Sequence, residues 1–161
     1  MGASGWDYVA PYQKDAAQAL VDLHRELIAN GEYYHGQSPD ELSPEEREQG
    51  GWGSYYQFES LDALLTAKET EEFWEQGTHS ILDMDRIVDS GRPDEAGAIA
   101  VLSDEETVRL LGSGRPTRSD FERARMDLLR NADFPSWSGR CVVLYDDGRP
   151  DGIAFWGYSG D

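Results

Sequence analysis

Three residues near the middle of the chain have the types and spacing of a small polar site: His79, Asp83 and Asp85, within Thr78 to Val88 (THSILDMDRIV). Read as a strand, the stretch alternates. His79, Ile81, Asp83, Asp85 and Ile87 fall on one side, with Ser80, Leu82, Met84, Arg86 and Val88 on the other, because strand residues two apart project the same way. A neutral imidazole beside carboxylates suits a divalent metal, or a general base oriented by an acid. Same-face carboxylates repel unless water, arginine or a cation compensates, and Arg86 lies on the opposite face by parity. His79, Asp83 and Asp85 are thus the candidate catalytic set. No other pattern competes with them: LLGSGRPT (110–117) follows a helix and lacks the lysine of a phosphate loop. There is no paired-cysteine spacing and no glycine elbow around a nucleophile. No cofactor and no resident metal are expected. Cys141, at the start of an apolar run, reads as a small buried residue, and His24, beside an apolar helix stripe, as a packed one.

A second set of residues suits recognition. Tyr33, Tyr34 and His35 follow the first helix and would line a mouth or close the rim of the core. Trp52 and Trp74 are aromatics able to anchor a partner, and Glu69 and Glu72 belong to an acidic tract, Glu69 to Glu75, that echoes another at Asp40 to Glu48. The total charge points the same way. Fourteen Lys and Arg stand against 32 Asp and Glu, a formal net charge of −18. Such a field repels nucleic acid and anionic membranes and speeds encounter with a cationic surface. An acidic surface also serves plain solubility. The expected function is an intracellular acidic protein-binding module, in the manner of immunity proteins and antitoxins, that engages a basic protein, with the question of catalysis left open. The alternative is a small enzyme, or a ligand- or metal-binding protein, with its site at His79, Asp83 and Asp85.

The elements that must position these residues follow from periodicity. With 161 residues, five Trp, eight Tyr and five Phe, one globular domain spanning 1–161 can bury a core without staples. A single cysteine and an opening without a basic and apolar leader point to the cytoplasm, and no apolar run is long enough to cross a bilayer. Gly5 to Ala10 is an extended lead-in. A helix runs from about Tyr12 to Ala29 and stops at Asn30-Gly31. An acidic loop with one helical turn after Ser43-Pro44 leads to an expected strand, Trp52 to Glu59, then to short helices after Ser60 and over Glu69 to Glu75. Ala98 to Leu102 is an apolar strand. Ser103 and Glu106 form a capping box that opens the next helix, and another helix spans about Arg118 to Asn131, laced with pairs such as Glu122 to Arg125 and Asp127 to Arg130. Finally Cys141 to Tyr145 and Ile153 to Trp156 flank a turn-rich segment, Asp146 to Gly152, as a β-hairpin apolar on both faces and therefore central. The class is α+β: a mixed or antiparallel sheet of about five strands, ending in a C-terminal hairpin and covered by helices.

Three segments, GWDYVAPYQKDAAQAL near the start, GTHSILDM in the middle and GYSGD at the end, resemble a set of small acidic bacterial proteins. The resemblance implies no activity, cofactor or site residue.

Overall fold

A computed structural model describes residues 4–35, 42–48, 57–92, 94–131 and 133–160. The class is as expected, α+β around a five-stranded mixed sheet that ends in a C-terminal hairpin. Strand β1 is Gly5–Pro11 and helix α1 is Ala16–Asn30. Short helices α2 (Pro44–Glu48), α3 (Leu61–Ala67) and α4 (Glu71–Gln76) follow, then a 3-10 turn over Ile81–Asp83. Strands β2 (Arg86–Val88) and β3 (Ala98–Val101) precede helices α5 (Asp104–Leu111) and α6 (Arg118–Arg130). The hairpin is β4 (Ser138–Asp146) and β5 (Arg149–Tyr158).

The strand order is β1-β5-β4-β3-β2, so the hairpin is central, with β1 antiparallel to β5 and β3 and β2 joined in parallel beyond β4. Its turn is tighter than Asp146 to Gly152. Asp147 (φ 48°) and Gly148 (φ 74°) are both left-handed, as a two-residue turn matched to strand twist requires. The rest zips into the ladder with one bulge, where Tyr145 pairs with Pro150 and Leu144 with Gly152, which accommodates a residue that cannot donate. The extended lead-in is β1. Its Trp6 pairs with Gly157, which in turn pairs with Gly139, and the indole lies across both glycines. A Cβ on Gly139 would sit 2.8 Å from Trp6 Cη2, and one on Gly157 would overlap the ring.

Alternation along β4 and β5 divides the core in two. Cys141, Ile153 and Phe155 face Leu20, Leu23 and Leu27 of α1, Leu64 of α3 and Phe73 of α4. Val142, Leu144, Ala154 and Trp156 face Leu111 of α5 and Phe121 and Leu128 of α6. Helix α1 begins at Ala16, later than its apolar pattern suggests, because Asp15 is the N-cap and accepts from Ala17 N at 2.9 Å. Gly31 (φ 68°) ends it in a left-handed cap. Helices α5 and α6 both open with capping boxes, Ser103 with Glu106 and Thr117 with Asp120.

Two expected elements differ. Of the strand over Trp52 to Glu59, residues 52–56 lie outside the described residues, and Gln57 and Phe58 belong to no strand. The strand over Thr78 to Val88 is reduced to Arg86–Val88. Gly77 (φ 65°) and His79 (φ 52°) are left-handed and Ser80 caps a 3-10 turn, so side-chain parity is lost before Asp83 is reached.

Candidate functional site

With that parity gone, His79, Asp83 and Asp85 go to three environments. His79 Nδ1 lies 2.7 Å from Ser4 Oγ, and its ring meets Tyr34 edge-on at 4.6 Å. Asp83 is fully buried, its Oδ1 accepting from Thr78 N at 2.7 Å and from the Thr78 hydroxyl at 2.8 Å. Since that hydroxyl has one proton to give, the Ser80 hydroxyl, 2.7 Å away, donates to Thr78. Asp83 Oδ2 has no hydrogen-bond partner among the described residues. Gly77 and the Trp137 ring close over it: a Cβ on Gly77 would lie 2.8 Å from Oδ2 and 2.7 Å from Trp137 Cη2. Burial pushes the Asp83 carboxyl above the usual carboxylate range, against the nearby Ser159 hydroxyl first and then the two Thr78 bonds. Asp85 Oδ1 holds Lys68 Nζ at 2.6 Å, and Lys68 also donates to Met84 O at 2.8 Å. Burial lowers the Lys68 pKa, opposed chiefly by Asp85.

Among the described residues no group of three or more His, Cys, Asp or Glu side chains could hold a metal ion. What the 77–85 segment does is tie elements together. Asp85 anchors the end of α3 through Lys68, the Thr78 and Ser80 side chains fix the 3-10 turn, and His24 of α1 contacts Ile81 O through Nε2 at 2.9 Å. Burial, helped by the Lys68 charge, pulls the His24 pKa down to about 3, so the ring is neutral and donates that bond. Lys68, Thr78 and Ser80 were missed as partners of this segment. The signal for Lys68 was a lone cation at the edge of an acidic tract. Cys141 is buried, and desolvation pushes its thiol up to about 12, the opposite of a reactive cysteine.

The recognition residues divide between core and surface. Tyr33 is packed: its hydroxyl accepts from Phe58 N at 2.8 Å and its ring stacks on Phe58. His35 contacts Gly31 O through Nε2 at 3.0 Å and lies against Tyr33. Trp74 donates to Lys68 O at 2.8 Å and meets Trp137 edge-on. Tyr34, Glu69 and Glu72 are on the surface, and Trp52 lies outside the described residues.

Glu69 and Glu72 belong to a larger feature. Residues 1–85 hold 18 of the 32 acidic residues but only four of the 14 basic ones. Three helices of this half, α1, α3 and α4, cover the same face of the sheet. Glu26, Glu32, Glu59, Asp62, Glu69 and Glu75 are exposed on or beside them. Of the basic residues here whose side chains are described, Lys68 is buried in its pair and Arg25 is bound to Asp22, which leaves Lys14. Asp62, Glu71 and Glu72 lie in first helical turns, where the helix dipole favours them. Glu75 does not. It sits in the last turn of α4, without a basic residue there and with no ion pair among the described residues, at a position that disfavours a carboxylate by about 0.3–1 kcal/mol.

No family model, curated protein or solved structure matches this chain. Nothing therefore adds to the resemblance of its end and middle segments to small acidic bacterial proteins, and the acidic layer stands as the candidate functional surface on its geometry alone.

Proposed function

We propose that the protein is a binding module that engages a basic protein partner through the acidic layer of α1, α3 and α4, in the manner of immunity proteins and antitoxins. The observation that carries this reading is the one-sidedness of the charge. Solubility needs negative charge but not its concentration over one sheet face, nor a carboxylate retained at Glu75 against the local preference of its helix. An acidic layer accelerates encounter with a cationic surface and fixes orientation, while exposed aromatics such as Tyr34 supply contact area.

The test is a charge-reversal comparison against a partner isolated by affinity capture at low salt and identified. Glu69→Lys with Glu75→Lys should slow association at least tenfold and flatten its salt dependence. Glu105→Lys with Glu122→Lys, the same change of charge on the other layer, should leave association within about twofold. Equal effects from both pairs, or a partner whose binding ignores salt, would refute the reading.

A further inference from the structure

The opposite layer holds a separate feature. Between α5, α6 and the sheet face lies a cavity of about 240 Å³. Sites for drug-sized ligands occupy roughly 300–1,000 Å³, so an occupant here is smaller. Its floor is apolar, built by Leu110, Leu128 and the Trp156 ring. Around that floor stand charges of both signs.

Arg140, on β4, is the inner cation. Its Nη1 donates to Gly139 O at 3.0 Å and lies 2.8 Å from Asp94 Oδ1 in an ion pair, and its guanidinium lies 4.5 Å over the Phe134 ring. Its Nη2 and Nε make no hydrogen bond among the described residues. Arg109 is a second guanidinium at the rim and Glu106, bonded to Ser103, a carboxylate between them. Asp127 and Asp133 also line the cavity, and like Arg109 they form no ion pair among the described residues. The cavity wall thus combines open donors on a half-buried guanidinium with carboxylates that no cation answers among the described ion pairs, around an apolar floor.

We infer that this cavity binds one apolar α-amino acid as the free zwitterion. Its carboxylate is taken by Arg140 and Arg109, its ammonium by Asp127 and Asp133, and its side chain by the Leu110, Leu128 and Trp156 floor. Charge selects this class. A plain carboxylic acid leaves Asp127 and Asp133 unanswered and meets their repulsion, and a plain amine leaves the open Arg140 donors unanswered. A molecule carrying an ammonium and a carboxylate on one carbon satisfies the open donors and the unpaired acids together. The cavity lies across the sheet from the acidic layer, so the inference does not rest on the proposed partner.

Titration of the full chain by calorimetry and amide NMR tests it, with L-phenylalanine and L-leucine as probes against 3-phenylpropanoate and phenethylamine. At least one amino acid should bind with Kd near or below ~1 mM and shift the Leu110, Leu128 and Trp156 signals, with both single-charge analogues at least tenfold weaker. Asp127→Asn, at an exposed position, should weaken the amino acid at least threefold and leave 3-phenylpropanoate no weaker. Arg140→Met should abolish binding, and Arg109→Met, which breaks no ion pair, gives the same direction should Arg140→Met fail to fold. The inference is overturned if neither amino acid binds at millimolar concentration, if either analogue binds as well, or if the shifts fall on α1, α3 and α4.

Discussion

The two helical layers follow different rules. On the α5 and α6 side each helix opens with a reciprocal cap and closes with a cation in its last turn, Arg109 and Arg130. Three of its arginines are engaged: Arg123 with Asp120, Arg125 with Asp7 at 2.8 Å, Arg118 with Asp151 at 3.8 Å. On the α1, α3 and α4 side neither α1 nor α4 has a basic residue in its last turn, and among the described residues exposed carboxylates outnumber cations. Local helix physics accounts for the first layer. It does not account for the second, whose helices are held by what lies beneath them, and that contrast is why the acidic side is read as a surface shaped by something outside the chain.

The strongest way to break the contrast is to ask whether the acidic layer is packed as firmly as the other. Phe73 under α4 and Phe121 under α6 are both fully buried. Phe73→Ala and Phe121→Ala should each lower stability by about 3–5 kcal/mol in urea unfolding. A loss below about 1 kcal/mol for Phe73→Ala alone would make the acidic layer an appendage.

Acid should separate the layers next. His24, held at about 3 when folded against an ordinary value near 6.5, takes a proton more readily in the unfolded chain. Stability is therefore fully present above about pH 6.5 and declines towards pH 3 at up to about 1.4 kcal/mol per pH unit. Asp83 works the other way: its carboxyl is raised, so acidification relieves a buried charge and offsets part of the loss. Asp83→Asn keeps an oxygen for both Thr78 bonds and should steepen the acid decline measured by thermal unfolding. An unchanged slope would show that the Asp83 carboxyl is not raised in the folded protein.

Lys68→Met leaves Asp85 without its cation. Because Asp85 is a third exposed, we expect a loss of about 1–3 kcal/mol, short of the roughly 3–5 for a fully buried pair. Hydrogen exchange should rise at α3 and β2 and not at α6. The smallest effect has the opposite sign. Glu75→Lys should stabilise the fold by about 0.3–1 kcal/mol while weakening capture of a basic partner. Stabilisation with partner binding intact would remove the strongest reason for assigning that carboxylate a role.

Much of this architecture was legible because it is written locally. The Ser103 and Glu106 box, the glycine after α5 and the apolar runs around Asp147-Gly148 each lie within a few residues of their consequence. What escaped depends on distant contacts. Gly5 to Ala10 could be read as extended but not as an edge strand, since its ladder is with Arg149–Tyr158. The alternation over Thr78 to Val88 was real as a pattern, yet left-handed Gly77 and His79 turn the chain so that His79 reaches Ser4 and Asp85 reaches Lys68. The Glu122 to Arg125 pair forms only loosely, at 4.0 Å, because Asp7 competes for the same guanidinium, and the Asp127 to Arg130 pair is absent among the described ion pairs. The cavity was out of reach for the same reason, being assembled from two helices and two strands. Its one sequence signal was Arg140, a cation heading an otherwise apolar strand.

The Trp6, Gly157, Gly139 row also sets an order of assembly. The slot that receives the indole exists only after the two hairpin strands have joined, and the ladder that brings Trp6 to it spans nearly the whole chain, from Gly5 against Tyr158 to Pro11 against Gly152. Closing so long a loop is slow compared with zipping a two-residue turn. The segment nearest the start is thus the last to find its place, and until it docks one flank of the central hairpin stays open to mispairing.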